Sequence, residues 1–374
     1  MTAGRAVARI DLGAVEHNCR HLAAQLDGGA ELCAVVKADG YGHGADDCAT
    51  AALEGGAVRL AVATAGEAEK IGRRFHHVPL LTMGALTVDE LEVCLNAGSE
   101  VAVWRPEFLH EVVARAQAQG RPARVHVKHD SGMGRLGTAD TDEVEQLART
   151  CDQDPNLELA GVWTHFATAD ERDDDYFGEQ LARFTPLAKR LKAAYPGLTV
   201  HAANSAAVFR DRAAHFDMVR CGIAVYGLDP FGEDPAERGL EPALSLSSYV
   251  ADVKRFEAEA SAGYGRTWRA ASDTWVGVLP IGYGDGVRRG LSNNGEVLVG
   301  GRRYPLVGTV SMDNITIDLG PQTEVKPGDE AVLIGAQDGE RILAEDLARR
   351  LGTINYEVTC GISARVPREQ AEAN

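Results

Sequence analysis

Long apolar runs are missing from this 374-residue chain, and none approaches the length that a membrane-spanning helix needs. The opening residues, MTAGRAVARIDLGAVEHN, hold no apolar core of signal-peptide size, so a cytoplasmic location is expected. Positive charge is scarce. The 38 Lys and Arg against 55 Asp and Glu leave a net charge of -17, which argues against a nucleic-acid surface built on basic stripes. The seven cysteines, at 19, 33, 48, 94, 151, 221 and 360, form no C-x-x-C pair and no close Cys/His cluster. Neither a metal site nor a disulfide framework is expected, and the thiols should be reduced. What remains as a partner is a small molecule or another protein.

The length exceeds one ordinary compact domain, although a (β/α)₈ barrel alone takes about 250 residues. Short apolar runs alternate with stretches of helical period from residue 33 to about 222, the pattern of a parallel sheet with crossover helices. Eight strands are predicted, at 33–37, 59–64, 79–83, 100–104, 124–128, 159–164, 198–203 and 217–221, and eight such units suggest a closed barrel. After Tyr226 the polar, Pro- and Gly-containing segment GLDPFGEDPAERGLEP reads as a junction. Beyond it, SLSSYVADVKRF, TWVGVLPI, EVLVGGRRYPLVG, NITIDLG and DEAVLIG alternate as strands do, and only 342–351 reads as a helix. The expected architecture is α/β: an N-terminal (β/α)₈ barrel over 1–229, then a mostly β domain over 230–374.

One stretch in the barrel half concentrates chemistry: Ala34-Val35-Val36-Lys37-Ala38-Asp39-Gly40-Tyr41-Gly42-His43-Gly44-Ala45. Lys37 follows a short apolar run at the place where a buried strand ends, and an ammonium there needs a partner or a task. A snorkelling surface lysine is one reading. A Schiff-base lysine paired with an aldehyde such as pyridoxal phosphate is the sharper one. A Walker-type phosphate loop is excluded, because that motif puts its glycines before the lysine and Ser or Thr after it.

A barrel carries its chemistry at the C-terminal ends of its strands. Those predicted ends hold Lys37, Lys128 with the Asp130-Ser131-Gly132-Met133-Gly134-Arg135 loop, Thr164-His165, Asn204-Ser205 and Arg220-Cys221-Gly222. Singly, His165 reads as a hydrogen-bonded structural histidine, Arg135 or Arg220 as a loop cation, and Asn204-Ser205 as a helix cap. Together they converge on one cavity. Its capped helix start and the Arg220-Cys221-Gly222-Ile223 turn suit an anion.

At this point a family resemblance is plain. AVVKADGYGHG resembles the pyridoxal-phosphate motif of alanine racemases. Further matches follow in order: KHDSGMGRLG at 128–137, THFATAD at 164–170, ANSAA at 203–207, VRCGIAVYG at 219–227, AGYGRTW at 262–268, IGYGDGVRR at 281–289, VGTVSMDN at 307–314 and INYEV at 354–358. The resemblance spans nearly the whole chain, and that family also joins a barrel to a β domain. It implies interconversion of L- and D-alanine, hence D-alanine for peptidoglycan precursors, with pyridoxal 5'-phosphate as cofactor.

Racemisation removes a proton from one face of the amino acid and returns one to the other, so two opposed bases are needed. The resemblance implies that Lys37 is one and that Tyr264, from the partner of a homodimer with shared active sites, is the other. It implies that Arg220 faces the pyridine nitrogen with His165 behind it, and that Arg135 contacts the cofactor and the substrate carboxylate. Lys128 matches a lysine that many members carry as a carbamate. Tyr41, Ser205, Gly222, Ile223 and Tyr356 match phosphate contacts, with Asn204 beside them, and Met312, Tyr283 and Asp313 match residues around the substrate. The sequence departs from the commoner pattern at His129, Ser131, Gly284 and Thr309. Thr309, Arg289, Asp170 and Ile354 fall where the family lines its substrate entrance, so a racemase of serine or another amino acid is the alternative.

Overall fold

The computed structural model describes residues 4–371. The chain divides into two compact units, one formed by Val15–Val225 and the other by the residues up to Ala14 together with those from Tyr226 onward.

In the first unit eight parallel strands close into a barrel: β2 (Glu31–Val35), β3 (Arg59–Val62), β4 (Leu80–Thr82), β5 (Glu100–Val103), β6 (Ala123–Lys128), β7 (Leu157–Trp163), β8 (Thr199–His201) and β9 (Met218–Cys221). β1, Ala6–Ile10, precedes them and belongs elsewhere. β2 closes the ring on β9, with Cys33 opposite Arg220 and Ala34 opposite Cys221. The strands are almost wholly buried, as expected of β-branched and Leu-rich runs covered on both sides. Helices such as Pro106–Gln119 and Tyr176–Ala194 lie between them. The latter buries Phe177, Leu181, Phe184, Leu187 and Leu191, the residues whose steps of three and four predict its inner face.

All eight predicted strands are present. The first is displaced: it ends at Val35, so Lys37 lies beyond the strand rather than at its last position. The reason is local. Ala38, Asp39, Gly40, Tyr41 and Gly42 have φ of 51°, 51°, 64°, 53° and 86°, a left-handed turn that cannot continue a strand.

The second unit is built on a ten-stranded sheet. Its order is Asp252–Phe256, Thr274–Leu279, Ile315–Gly320, Arg302–Val307, Glu296–Val299, Glu330–Gln337, β10 (Leu244–Tyr249), β1 and Arg368–Gln370, with Glu340–Ile342 pairing Glu330–Gln337. Every β segment predicted here contains a strand. Two features differ from expectation. A short helix, Asn355–Cys360, follows Ala344–Leu351. Also, the N-terminal residues, expected with the barrel, supply β1 to this sheet, where β1 runs antiparallel to β10 and parallel to Arg368–Gln370. Five residues, four of them buried, carry no local mark of so distant a pairing.

Deleting residues 1–10 is therefore expected to lower the thermal unfolding midpoint by well over 10 °C, because two strands lose their ladder partner. Circular dichroism scans check this, and an unchanged midpoint would contradict the role given to β1.

Candidate active site

The turn after β2 is held by its own backbone and by one carboxylate. Gly40 N–H donates to Val36 O at 3.0 Å, Gly42 N–H to Ala38 O at 3.0 Å and Gly44 N–H to Asp39 O at 2.8 Å. Glu67 accepts from the backbone N–H of Ala38 at 2.7 Å, Ala63 at 2.8 Å and Thr64 at 3.1 Å, which ties the residue after Lys37 to the end of β3. Buried His43 closes the turn from inside. Its Nδ1 lies 3.0 Å from both Gly40 O and Tyr41 O, so Nδ1 carries the proton. The left-handed conformation costs roughly 1–2 kcal/mol for each non-glycine residue and is retained only where surrounding contacts dictate it. Here it places the Lys37 Nζ 5.8 Å from the centre of the Tyr41 ring.

Tyr41 is buried and reaches across to β9. A Cβ on Gly222 would stand 2.2 Å from the Tyr41 hydroxyl oxygen, so the hydroxyl rests on bare backbone there. Gly222 N–H donates to Ser205 Oγ at 3.0 Å and Ala224 N–H to the same oxygen at 3.4 Å. Asn204 caps the helix Ser205–Arg210, its Oδ1 accepting from Ala207 N–H at 3.0 Å. Ile223 opens the 3₁₀ turn Ile223–Tyr226. Tyr41, Ser205, Gly222 and Ile223 thus meet at one edge of the barrel mouth.

Arg220 is fully enclosed. Nη1 donates to His201 Nδ1 at 2.8 Å; Nη2 donates to Thr164 O and Ala202 O at 2.9 Å each and to His165 Nδ1 at 3.3 Å. These bonds leave Nε–H without a protein acceptor among the described residues. Burial lowers the guanidinium to about 10, so it remains cationic at neutral pH. Lys128 lies over the Trp163 ring at 3.9 Å and Arg220 over it at 4.8 Å. Desolvation first, then the charges of Arg220 and Arg135, bring the Lys128 amine down to about 7. Arg135 is exposed at the end of a loop whose amides, at Gly132, Met133 and Gly134, all bond the Asp130 carboxylate. Half-buried His165 is held well below its usual range by desolvation and by the charges of Arg220, Lys128, Arg135 and Lys37. Three cations and a lysine of weakened charge therefore lie around one neutral imidazole.

The second unit holds the other predicted residues. Tyr264 is 72% exposed on the turn Tyr264–Arg266, whose backbone carbonyl at Tyr264 accepts from Thr309 Oγ at 2.8 Å. A cleft of about 400 Å³ opens there between Tyr264, Thr309, Ser311 and Asn314. Tyr283 and Met312 are brought together by two backbone bonds, Tyr283 N–H to Ser311 O and Gly284 N–H to Met312 O, each 2.9 Å. Asp313 is paired with Arg365 at 2.6 Å and Arg5 at 3.3 Å, and these bonds hold its carboxyl below the usual range. Tyr356 lies on the helix Asn355–Cys360.

Sequence reasoning gave Arg220 only His165 as support and missed His201, at the shorter distance, and His126 and Glu100 behind it. A signal was present: His126 and Lys128 are two apart in one strand, so they share a face, the face that already carried Lys128.

A barrel mouth that gathers cations beside a lysine, with a mostly antiparallel β unit in the same chain, is an arrangement suited to an enzyme acting on a small anionic molecule. Comparison with known proteins narrows this. Residues 10–230 match the family described as alanine racemase, N-terminal domain, and residues 243–370 match alanine racemase, C-terminal domain. The alanine racemase of Desulforamulus reducens is 40% identical over 366 residues, covering 96% of this chain and 97% of the relative. That of Symbiobacterium thermophilum is 43% identical over 363 residues, covering 96% of each. Among solved structures, alanine racemase from the D-cycloserine producer Streptomyces lavendulae superposes with a TM-score of 0.92 at 36% identity, covering 100% of this chain and 99% of that one. The Bacillus anthracis alanine racemase with bound L-Ala-P gives 0.90 at 37%, covering 100% and 96%. The chain belongs to the alanine racemase family.

Two outcomes follow from the site geometry. Ala38→Gly should raise stability by roughly 0.5–1 kcal/mol, since glycine adopts the left-handed region without the Cβ penalty but has more unfolded-state freedom to lose; denaturant titration reads the sign. Lys128 binds a proton in the unfolded chain but much less in the folded one between its folded value of about 7 and the ordinary lysine value. Stability should therefore rise with pH across that window. In CO₂-free buffer, Lys128→Met should flatten the rise, and an equal slope in both proteins would contradict the burial argument.

Proposed function

We propose that the protein interconverts L-alanine and D-alanine using pyridoxal 5'-phosphate at the barrel mouth, in a homodimer whose sites each take a residue from the partner. The observation that carries this reading is the convergence of Lys37, Lys128, Arg135 and Arg220 around His165. Such a cluster is poorly matched by a neutral ligand and well matched by one with several anionic groups.

The residues present fit the cofactor. The Tyr41 hydroxyl on the Gly222 backbone, with Ser205 and Ile223 beside it, offers a place for a phosphate, and Tyr356 is proposed to join them. The unengaged Nε–H of Arg220 offers a donor to a ring nitrogen. When bound, pyridoxal phosphate supplies an aldehyde for the substrate amine and a conjugated ring that makes the Cα proton removable. Arg220 donates without surrendering its proton, so an acceptor opposite it stays unprotonated. Arg135 presents a planar fork suited to a carboxylate. Lys128, much of it uncharged near neutral pH, is able to take up CO₂ as a carbamate, whose negative charge would then hold Arg135. His165 backs Arg220.

Lys37 Nζ is proposed to hold or release a proton on one face of the substrate, and the partner subunit's Tyr264 on the other. Support for the second assignment comes from exposure. Tyr264, Tyr283, Met312 and Ile354 are four of the five large hydrophobic side chains exposed among the described residues, and all lie in the β unit. Large apolar side chains left exposed on one unit are consistent with a surface that a partner covers. Met312 and Tyr283 are proposed to border the substrate, with Asp313 fixing their loop through Arg365 and Arg5.

Incubation of the purified protein with L-alanine and pyridoxal phosphate should yield D-alanine, measured by chiral chromatography. Lys37→Ala should abolish both turnover and the visible absorbance of bound cofactor, and an unchanged spectrum would end the reading. Tyr264→Phe should keep the spectrum while losing about 10²-fold or more in rate. Mixing the two inactive variants should restore some activity once subunits exchange; none, despite exchange, would separate the sites. A rate with L-serine equal to that with L-alanine would move the substrate assignment to the broader alternative.

A further inference from the structure

Behind Arg220 runs a line of buried polar groups that the proposed reaction does not use. Glu100 starts β5, His126 lies in β6 and His201 ends β8, and all three are at most 3% exposed. The links are Arg220 Nη1 to His201 Nδ1 at 2.8 Å, His201 Nε2 to His126 Nδ1 at 2.9 Å and His126 Nε2 to Glu100 Oε2 at 2.6 Å. Room for the line is made by Gly161 in β7, where a Cβ would stand 2.2 Å from His126 Nδ1. Trp163 stacks on His201, centroids 5.6 Å apart and planes within 5°, and fixes that ring's tilt.

Only one placement of protons satisfies all three links. A guanidinium has no acceptor, so His201 Nδ1 must be bare and its proton must sit on Nε2. That N–H points at His126 Nδ1, which must also be bare, so His126 donates from Nε2 to Glu100. A second proton on either ring would set N–H against N–H at one of the links. Glu100 is kept ionised by Arg59, which bonds Oε2, and by Arg124, whose Nε lies 2.8 Å from Oε1. The other titratable groups facing the line are Lys128 at the end of β6, His165 after β7 and Cys33 of β2. Of these, His165 alone bonds Arg220 among the described residues, its Nδ1 accepting from Nη2 at 3.3 Å, longer than the 2.8 Å link to His201.

We propose that Glu100, His126 and His201 are positioning residues for Arg220, joined in a one-way hydrogen-bond chain that aims the guanidinium into the barrel mouth and keeps both imidazoles neutral. The proposal rests on the reading of Arg220 as the group facing the cofactor. It differs from the expected support by His165, which meets Arg220 only at 3.3 Å.

The test uses the holoenzyme labelled with ¹⁵N-histidine. Long-range ¹H–¹⁵N spectra, assigned through His126→Asn and His201→Asn, should show both rings as neutral Nε2–H tautomers from about pH 6 to 9. An Nδ1–H or doubly protonated ring at either position overturns the proposal. Kinetics supply a second reading. In His201→Asn the amide oxygen takes the place of Nδ1 and still accepts from Arg220, so kcat should stay within about threefold of wild type. In His201→Leu it should fall roughly tenfold or more, with KM little changed. Equal losses in the two variants overturn the positioning role. The tautomer spectra do not depend on turnover. A wild type that fails to racemise alanine refutes the function, whereas a wrong tautomer in an active enzyme refutes the chain alone.

Discussion

Closure of the barrel by β2 on β9 is the constraint from which the site follows. With Cys33 paired to Arg220, the turn that leaves β2 and the turn that leaves β9 emerge side by side, although they are far apart in sequence. Tyr41 then lies on Gly222, and Lys37 and the buried guanidinium of Arg220 both act on His165. Burying Arg220 is unfavourable unless its donors are met, and they are met by carbonyls and neutral imidazoles rather than by a carboxylate in direct contact. The positive charge is therefore retained at the mouth instead of being cancelled within it. The whole chain carries -17, so long-range repulsion opposes the approach of an anion and short-range contacts at the mouth must supply the affinity.

Much of the fold was legible because its signals are local and repeated. Eight buried β-branched runs separated by helical period leave few topologies open, and the change to strict alternation after Tyr226 marks the second unit. Placement of the chemical groups followed, since a barrel presents its strand ends on one face and the motif residues fell there. Gly40, Gly42 and Gly44 mark a tight turn after Lys37, but its left-handed course through the non-glycine residues was not legible. Ala38 and Tyr41 have no preference for positive φ, Asp39 only a modest one, and the conformation is braced by Glu67 and His43, contacts that only the folded chain contains. His126 and His201 escaped for a different reason. A histidine inside an apolar strand looks the same in sequence whether it is packed alone or linked to three others. β1 escaped because its partners lie at the far end of the chain.

Strain and support are distributed unevenly around the site. The Lys37 turn stores unfavourable backbone conformations and is braced by a carboxylate that belongs to a helix N-terminus. The Tyr264 turn, by contrast, is exposed and is held by side-chain bonds at its surface, from Thr309 to the Tyr264 carbonyl and from Arg266 to Ser261. The first arrangement fixes a side chain closely, whereas the second leaves one accessible to whatever covers it.

The pairing of β1 has a consequence for the order in which the chain acquires structure during synthesis. Strands β2 to β9, with the helices between them, contain every contact needed to close the barrel, and these can form while translation continues. β1 leaves the ribosome first, yet its neighbours are β10 and Arg368–Gln370, both made after the barrel is complete. For most of that interval an apolar five-residue segment waits with its backbone unpaired, the situation in which strand edges attract other chains. Arg9 interrupts the segment, bonding Ser247 and Glu330 in the finished sheet. Its charge, like those of Arg5 and Asp11 at either end, works against pairing of the waiting strand with its copies until the proper partners arrive.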